Sequence, residues 1–340
     1  MDETVFDHYV AVDWAAKNMA IARMTKKSNK ITAIDVPSAV KELQVYLQNL
    51  KGTKILAIEE TTTSQWLYTE LKDYVNKVMI CDPYRNRLLS EGPKTDKIDA
   101  RKLVQLLKAN LMREVYHSGD NFLYLRRLVS GYEDLVRSGV RLKSQRYALL
   151  RACGKTGKEK DDVKLDSLGG EQYVLECLNR QIESYEKEKK GYEGEFEKIA
   201  RERPEIKHQK SLPGIGVINA VKIVARVVTP YRFADKGHYL SYCGLIQLDR
   251  VSGGRSYGKK SPRFCRQLKG VYKSGVLACI GGDNPINSYY EYLIKEKNYA
   301  PHNARNKACR RLAILSLGVF RSGKKYQPHM EELKVIKENN

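Results

Sequence analysis

Three short apolar segments open the chain, and their order constrains the fold more than any other feature of the sequence. Residues 8–13, 19–24 and 31–36 each have the length and composition of a strand, and polar residues separate them. Helical and strand-like patterns then alternate, at 37–50, 54–59, 66–74, 78–81 and 97–108, with Pro37-Ser38 at the start of the first helix. The predicted order is three strands followed by helix, strand, helix, strand and helix.

This element order is the chain order of the ribonuclease-H-like fold, in which helices cover a mixed β-sheet. We therefore predict an α/β ribonuclease-H-like domain over residues 1–115. Residues 116–205 change in character to long helices, and residues 206–340 form a basic, mostly α-helical region with helical stretches at 216–228 and 303–320. Three structural regions are expected.

The middle region repeats apolar residues at the spacing of a coiled coil. Steps of three and four residues alternate, interrupted only at Lys189, along Leu175, Leu178, Ile182, Tyr185, Tyr192, Phe196 and Ile199. Two structures fit this pattern equally well. One is a helical hairpin that packs on itself, and the other is a stalk through which copies of the chain assemble.

The positive charge of the chain is concentrated in its C-terminal part. The 61 Lys and Arg side chains exceed the 40 Asp and Glu by 21, yet residues 1–100 carry 14 basic and 14 acidic side chains. Residues 201–340 carry 27 basic and 10 acidic side chains. Because such a field attracts polyanions, nucleic acid is the expected partner, and the neutral N-terminal region needs a different role.

Other features exclude several classes of protein. The 7 cysteines are scattered without a CxxC pair or a Cys/His spacing suited to zinc, which is typical of buried thiols in a reducing compartment. No apolar run reaches the length of a membrane span, and the first residues lack the pattern of a secretory leader. We expect a protein of a reducing cytoplasm without a membrane partner.

Four acids occur where a carboxylate site is expected. Asp13 follows the apolar run Val10-Ala11-Val12, and Glu59 directly follows the apolar run 55–58, so both acids lie where a buried strand ends. Asp96 and Asp99 open a helix with a separation that places both on one face. Converging carboxylates can hold one or two Mg²⁺ ions for phosphoryl transfer. Taken singly, each acid also fits a solvated surface charge, and Glu60 competes with Glu59 on spacing alone.

A glycine-containing turn precedes the helical stretch at 216–228. The segment Ser211-Leu212-Pro213-Gly214-Ile215-Gly216 is similar to the hairpin of a helix-hairpin-helix, in which backbone N–H groups meet a phosphate at a helix N-terminus. Gly214 and Gly216 are therefore candidate nucleic-acid-binding residues. A tight turn that joins two core helices explains the same pattern equally well.

A glycine-rich, basic loop is predicted at residues 251–260. Its glycines permit close approach of the backbone, and its cations, with two arginines that follow, can bind neighbouring phosphates. The candidate phosphate-binding residues are Arg255, Lys259, Lys260, Arg263 and Arg266. By composition, Ser252 is one of many serines, and a solvated phosphate-binding loop is the default interpretation.

Taken together, these motifs resemble a known family. The shared motifs are YVAVDWA at 9–15, IEET at 58–61, KTDKIDARKL at 94–103, LPGIG at 212–216, YCGL at 242–245 and SGG at 252–254. The chain resembles the DEDD-type insertion-sequence transposases of family one-ten, which are bridge-RNA-guided serine recombinases. The resemblance implies a RuvC-like N-terminal domain, whose acids match Asp13, Glu59, Asp96 and Asp99 as metal ligands, and a C-terminal transposase domain, whose nucleophile matches Ser252.

The resemblance also implies a chemistry and a set of partners. Transesterification would proceed through a transient 5′-phosphoserine linkage, with Mg²⁺ (or Mn²⁺ in its place) and no nucleotide cofactor, since covalent catalysis conserves the phosphodiester energy. The implied partners are target and donor double-stranded DNA and a structured bridge RNA. A homo-oligomer, dimer or tetramer, is expected because synapsis of two duplexes needs several active sites. Whether the serine meets acids of its own chain or of a neighbour stays open.

The chain departs from the family pattern at two places. It has Glu59-Glu60-Thr61-Thr62 where the family commonly has Glu-Ala-Thr-Gly, and residues 259–266 differ from the family's Lys-x-Gly-Asn-x-x-Leu-Arg. Three alternatives remain at this point. A Holliday-junction-type nuclease would use water and only the acids, a non-catalytic scaffold would need only the positive charge, and Tyr257 or another tyrosine would replace Ser252 as nucleophile.

Overall fold

The computed structural model describes residues 5–82, 95–117, 122–155, 165 and 170–328. Lys94, the first residue of the KTDKIDARKL motif, lies outside the described residues. The chain divides into two compact units, residues 1–120 and 121–340. No described helix is long and apolar enough to cross a membrane.

The first unit contains a five-stranded mixed sheet. Its strands are β1 (His8–Trp14), β2 (Asn18–Thr25), β3 (Ser28–Pro37), β4 (Lys54–Glu59) and β5 (Lys77–Cys81). The strand order is β3-β2-β1-β4-β5, with β1 at the centre. The first three strands pair antiparallel, whereas β1, β4 and β5 run parallel. The sequence-based prediction of a mixed sheet, and of its element order, is confirmed.

Helices cover both faces of this sheet. They are α1 (Val40–Gln48), α2 (Ser64–Leu71) and α3 (Asp96–Lys108). Val10 and Val12 of β1 pack in the same core as the buried leucines of α1 and α2, and Tyr9 and Ala11 pack in the core that holds α3. This alternation follows from the period of two in a strand. The two faces of the sheet are therefore distinct layers.

The first helix starts later than its sequence suggested. Strand β3 extends to Pro37, and Ser38 does not cap the helix, because its Oγ donates a hydrogen bond to the carbonyl oxygen of Ala15 at 2.7 Å. Helix α1 begins at Val40, and Ala39 occupies the N-cap position without a side-chain cap.

The orientation of α3 is fixed at both of its ends. Near its N-terminus, Lys97 Nζ lies 3.1 Å from Asp35 Oδ2 on β3. At its C-terminus, Lys108 Nζ donates to the carbonyl oxygens of Thr25 and Ser28 at 2.8 and 3.0 Å, at the turn between β2 and β3. Helix α3 therefore runs antiparallel to β1, and its N-terminus lies at the edge where β1 ends.

The second unit begins with two long helices, α4 (Leu123–Ala152) and α5 (Gly170–Glu202), which form a hairpin. A Cβ added at Gly139 would lie 2.3 Å from the ring of Tyr185, and one at Gly131 would lie 2.6 Å from Tyr192 Oη. The apolar seam of α5 thus packs against α4 of the same chain. The packing within the chain accounts for the coiled-coil spacing.

The remaining helices share one core with the base of this hairpin. They are α6 (Pro204–Lys210), α7 (Val217–Val227), α8 (Lys236–Tyr242), α9 (Arg266–Cys279), α10 (Pro285–Lys295) and α11 (Pro301–Ser322). Within the core, Tyr272 Oη donates to Ser316 Oγ at 2.9 Å, and Ser316 Oγ donates to Gln209 Oε1 at 2.6 Å. The mostly helical character predicted for this part of the chain is confirmed.

One segment predicted as a loop is an antiparallel hairpin. Strand β6 (Leu248–Ser252) pairs with β7 (Arg255–Lys260), and every residue of both strands is exposed. The sequence analysis missed these strands because glycine, serine and charged residues replace the alternation of apolar side chains that marks a half-buried strand.

Candidate active site

Asp13 and Glu59 lie side by side at the ends of two neighbouring strands of the first unit's sheet. Strand β1 pairs in parallel with β4, and the register places Val12 opposite Ile58, immediately before the two acids. Asp13 pairs with Ala20, which is buried in the core beneath α3, and Glu59 alternates with Ala57 of the same core. Both half-buried carboxylates therefore lie on the α3 face, at the carboxyl edge of the sheet.

Asp96 and Asp99 approach this edge from the first turn of α3. The helix packs on the sheet through a stripe that includes Ala100, Leu103 and Val104, and the two acids continue that stripe toward its N-terminus. The Thr95 side chain caps the helix by accepting a hydrogen bond from the Ile98 N–H at 3.3 Å. The orientation of α3 thus brings its first turn to the end of β1.

The carboxyl group of Asp13 lies within electrostatic reach of the three other acids. Burial raises the pKa of the Asp13 carboxyl to about 6, and negative charge from three neighbours adds to the effect. In decreasing order of influence, these neighbours are Asp96, Glu59 and Asp99. We call Asp13, Glu59, Asp96 and Asp99 the carboxylate cluster. Mutual repulsion of this kind is relieved by protonation or by a cation.

The donor set suits a hard divalent cation, since carboxylate oxygens are the ligands that Mg²⁺ prefers. As the side chains stand, no three His, Cys, Asp or Glu groups in the described ranges converge closely enough to enclose a metal ion. The charges of the three other acids reach Asp13 across the site, whereas the carboxylate oxygens do not meet at one point. Binding of a cation would require these side chains to converge on it.

Glu60, the competitor of Glu59, has a different setting. Its backbone N–H donates to the carbonyl oxygen of Cys81 at 2.9 Å, which continues the pairing of β4 with β5 by one residue. Strand alternation then directs Glu60 away from the face that carries Asp13 and α3. The fold favours Glu59 as the member of the cluster.

Two charged residues beside the cluster escaped the sequence analysis. Asp35 of β3 and Asp13 of β1 both pair with Ala20 of β2, so the three residues form one row across the sheet. Asp35 is bound by Lys97, which lies between Asp96 and Asp99 in the sequence. The position of Asp35 depends on strand register, which the sequence pattern does not specify to the residue.

The glycine-containing turn in the second unit connects α6 with α7. Gly214 has φ of +70°, and a Cβ there would lie 2.1 Å from the carbonyl oxygen of Gly275 on α9. Gly216, at the N-cap of α7, has φ of −77° and open space around the Cβ position. Gly214 is therefore required for close packing of the turn on α9, whereas the position of Gly216 has room for a side chain.

Ser252 lies at the tip of the β6–β7 hairpin, where it pairs with Arg255. Between them, Gly253 and Gly254 have φ of +53° and +75°, the left-handed pair that a tight two-residue hairpin turn requires. Strand alternation places Arg250 and Tyr257 on the same face as Ser252. That face combines two hydroxyl groups with two guanidinium groups.

The other predicted phosphate-binding residues extend from the hairpin into α9. Lys259 and Lys260 end β7 and are exposed, as are Arg263 in the connecting segment and Arg266 at the start of α9. Gly244 of the YCGL motif has φ of +65°, and a Cβ there would lie 2.4 Å from the ring of Phe264. This contact anchors the segment that joins the hairpin to α9.

Comparisons with known proteins identify the two parts of the chain separately. A DEDD transposase model of the IS110 type matches residues 10–154, a range that includes the carboxylate cluster. A model described as transposase of the IS116/IS110/IS902 family matches residues 207–291, which include the glycine-containing turn and Ser252.

One curated relative comes from Streptomyces coelicolor, where it is described as the insertion element IS110 uncharacterized 43.6 kDa protein. It is 24% identical over 173 residues, which cover 51% of this chain and 42% of the relative. The matched part therefore spans less than half of the relative's length.

Proposed function

We propose that the chain is a transposase of the IS110 kind, because two models of such transposases match residues 10–154 and 207–291, and that it cuts and rejoins DNA strands by metal-assisted transesterification. The carboxylate cluster would form one part of the active centre, and Ser252 would supply the nucleophile. The observation that carries the proposal is the placement of Asp13 and Glu59, at the ends of neighbouring parallel strands, beside the helix turn that carries Asp96 and Asp99. Four carboxylates from three separate segments share one electrostatic environment at the end of a sheet with ribonuclease-H-like strand order.

The carboxylate cluster would hold the divalent ion typical of DEDD transposases, which we propose to be Mg²⁺, with Mn²⁺ able to replace it. When bound, such an ion stabilises the charge that develops on phosphate oxygens during transfer. The protein's own contribution is to bring four negative charges to one edge of the sheet. The positive end of the α3 dipole lies beside them and offsets part of their repulsion.

The proposed step at Ser252 conserves the phosphodiester bond energy. Ser252 Oγ loses its proton and bonds to phosphorus, and the bond from phosphorus to the 3′ oxygen breaks, so that this oxygen leaves as a hydroxyl. The product is a 5′-phosphoserine. Attack by the 3′ hydroxyl of another strand reverses the step, which releases the serine and rejoins DNA without a nucleotide cofactor.

The exposed hairpin supports this role because both faces are accessible to a large substrate. Arg250 and Arg255, on the same face as Ser252, are suited to bind the nonbridging oxygens of the attacked phosphate. We propose that a structured bridge RNA pairs with target and donor DNA, so that base pairing reads the sequence while the protein recognises backbone. Assembly as a dimer or tetramer belongs to the same proposal.

The test is trapping of the covalent intermediate. Purified protein, the RNA that copurifies with it and a labelled DNA target are incubated with Mg²⁺, denatured and separated by size. We expect an adduct that Ser252→Ala abolishes and that alkali releases, because alkali cleaves phosphoserine esters. An adduct that persists in Ser252→Ala and resists alkali would instead identify a tyrosine such as Tyr257.

Asp96→Asn separates the metal-dependent step from binding. We expect it to abolish the adduct and to leave DNA affinity nearly unchanged, because Asp96 serves the cation and not the phosphate backbone. Mg²⁺-dependent cutting without any adduct would favour a nuclease that uses water. If neither cutting nor an adduct occurs, a binding scaffold remains.

A further inference from the structure

Two segments of the second unit contain no acidic residue. Residues 250–282 and 297–328 each carry eight Lys and Arg side chains and no Asp or Glu. Helices α9 and α11 lie entirely within these segments. The charged residues on their exposed faces are therefore all cationic, which is unusual because surface charges of both signs normally alternate.

The two helices pack side by side. Cys309 Sγ of α11 lies 3.6 Å from the carbonyl oxygen of Tyr272 on α9. Lys273 directly follows Tyr272, Arg305 lies one helical turn before Cys309, and both are exposed. Burial raises the pKa of the Cys309 thiol to about 11, and the charges of Lys273 and Arg305 oppose this effect. These two cations therefore flank the same contact between the helices.

Two further cations of these helices lie toward the base of the β6–β7 hairpin. Arg310 Nε donates a hydrogen bond to the carbonyl oxygen of Leu245, three residues before β6, at 2.7 Å. Lys269 Nζ lies 4.6 Å from the ring centre of Phe264, whose ring packs on Gly244. We call Lys269, Lys273, Arg305 and Arg310 the cationic strip.

Other cations of α11 are engaged by aromatic rings. Lys307 Nζ lies 4.5 Å from the ring centre of Tyr299, and Arg311 lies 4.9 Å from that of Tyr289. Lys273 and Arg305 form no ion pair with any acidic side chain of the described residues. A polyanion would therefore meet these two charges without having to displace an internal partner.

We propose that the cationic strip binds the backbone of the DNA duplex beside the phosphate that Ser252 attacks. This inference rests on the proposed function, since it takes the hairpin as the catalytic arm. Lysines act as point charges on phosphates and confer no sequence preference. Lys269 and Lys273 lie four residues apart on α9, about 6 Å along the helix axis, which is about two phosphate intervals of one strand. Continuity with the hairpin favours DNA over RNA as the occupant.

Salt dependence of binding tests the strip without requiring catalysis. The protein is titrated into fluorescein-labelled duplex DNA, without divalent ions, over a range of about 50 to about 200 mM salt. We expect the double variant Lys273→Gln/Arg305→Gln to bind more weakly and to reduce the slope of log K against log salt by about 2. Arg305→Gln alone should reduce the slope by about 1.

The matched control removes the same charge elsewhere. Lys187 and Lys190 are exposed on α5, and Lys187→Gln/Lys190→Gln should leave the slope unchanged. An equal loss in this control would overturn the proposal, because it would reduce the strip to a contribution to net charge. The proposal would also be overturned if Lys273→Gln/Arg305→Gln bound duplex RNA of the same sequence more weakly but bound DNA as the wild type does.

The proposal for the cationic strip and the proposal for Ser252 can be disproved independently of each other. If the wild type forms no adduct while the strip variant still lowers the DNA slope, the serine mechanism is wrong and the strip stands. If the adduct forms and the strip variant binds DNA as the wild type does, the strip is wrong and the mechanism stands.

Discussion

Lys97 Nζ lies 3.1 Å from Asp35 Oδ2, and this ion pair joins the first turn of α3 to β3, which β2 separates from β1. Asp35 belongs to the same row of the sheet as Asp13, with Ala20 between them. Lys97 stands between Asp96 and Asp99 in the sequence. The pair therefore ties the helix turn that carries Asp96 and Asp99 to the row of the sheet that contains Asp13.

Replacing Lys97 with Met is expected to weaken metal binding more than folding. An exposed ion pair contributes about 0 to 1 kcal/mol to stability, so the unfolding free energy should change by no more than that. The first turn of α3 loses its tether, however, and we expect the Mg²⁺ concentration for half-maximal DNA cutting to rise severalfold. A Mg²⁺ titration of cutting, beside urea denaturation, measures both.

The matched control is at the other end of the same helix. Lys108 donates three hydrogen bonds at the β2–β3 turn, far from the acids. Lys108→Met should therefore lower stability without changing the Mg²⁺ requirement. Equal Mg²⁺ curves for wild type and Lys97→Met would show that the tether does not position the site.

Asp13→Asn is expected to stabilise the metal-free protein while it abolishes cutting. The pKa of Asp13 is about 6 in the folded protein and about 4 in an unfolded chain. Because the folded value is higher, the contribution of this carboxyl is most favourable below pH 4 and declines as the pH rises to about 6. At pH 7, Asn should raise the unfolding free energy by about 1 kcal/mol, allowing for solvent screening of a half-exposed group.

Urea denaturation in EDTA at several pH values between about 4 and about 8 tests this expectation. The difference between Asp13→Asn and wild type should grow from about pH 4 to about pH 6 and stay constant above that. Asp73→Asn, at an exposed position outside the cluster, should follow the wild type throughout. A constant difference across the window would contradict the repulsion inferred for Asp13.

The two glycines of the turn before α7 should respond differently to alanine. At Gly214 an added Cβ meets the Gly275 carbonyl oxygen at 2.1 Å in a left-handed conformation, so Gly214→Ala should cost about 3 kcal/mol or more. Gly216→Ala meets no obstacle and should cost within about 1 kcal/mol. Chemical denaturation decides this, and similar losses at both positions would contradict the packing role of Gly214.

The sequence was sufficient where a single segment determines its own structure. Apolar runs of strand length predicted the sheet, and the acids at the ends of two runs were located because parallel strands finish at one edge. The spacing of Asp96 and Asp99 specified one helix face without reference to the rest of the chain. The four acids of the candidate site could therefore be predicted from short segments of sequence alone.

What escaped prediction depends on contacts between distant segments. The pairing of Lys97 with Asp35 spans 62 residues and follows from strand register. The requirement for glycine at position 214 arises from Gly275 on another helix, so the turn alone suggested phosphate binding as readily as packing. Apolar and polar side chains do not alternate along the β6–β7 hairpin, because neither of its faces is buried. The sequence therefore lacks the alternation by which the strands of the first unit were predicted.

Substitutions at Gly253 should change the activity of the protein without changing its stability. Valine is strongly disfavoured at φ of +53°, whereas asparagine adopts this conformation readily, so Gly253→Val should distort the tip that carries Ser252 and Gly253→Asn should preserve it. Because the hairpin contributes no buried residue to the core, both variants should unfold at the wild-type temperature. In the adduct assay we expect Gly253→Val to form the phosphoserine product more than about tenfold more slowly, which corresponds to a loss of over about 1.4 kcal/mol in transition-state stabilisation. We expect Gly253→Asn to form it at the wild-type rate. Full activity in the Val variant would show that the geometry of this tip does not determine the chemistry, and Ser252 would lose its place in the mechanism.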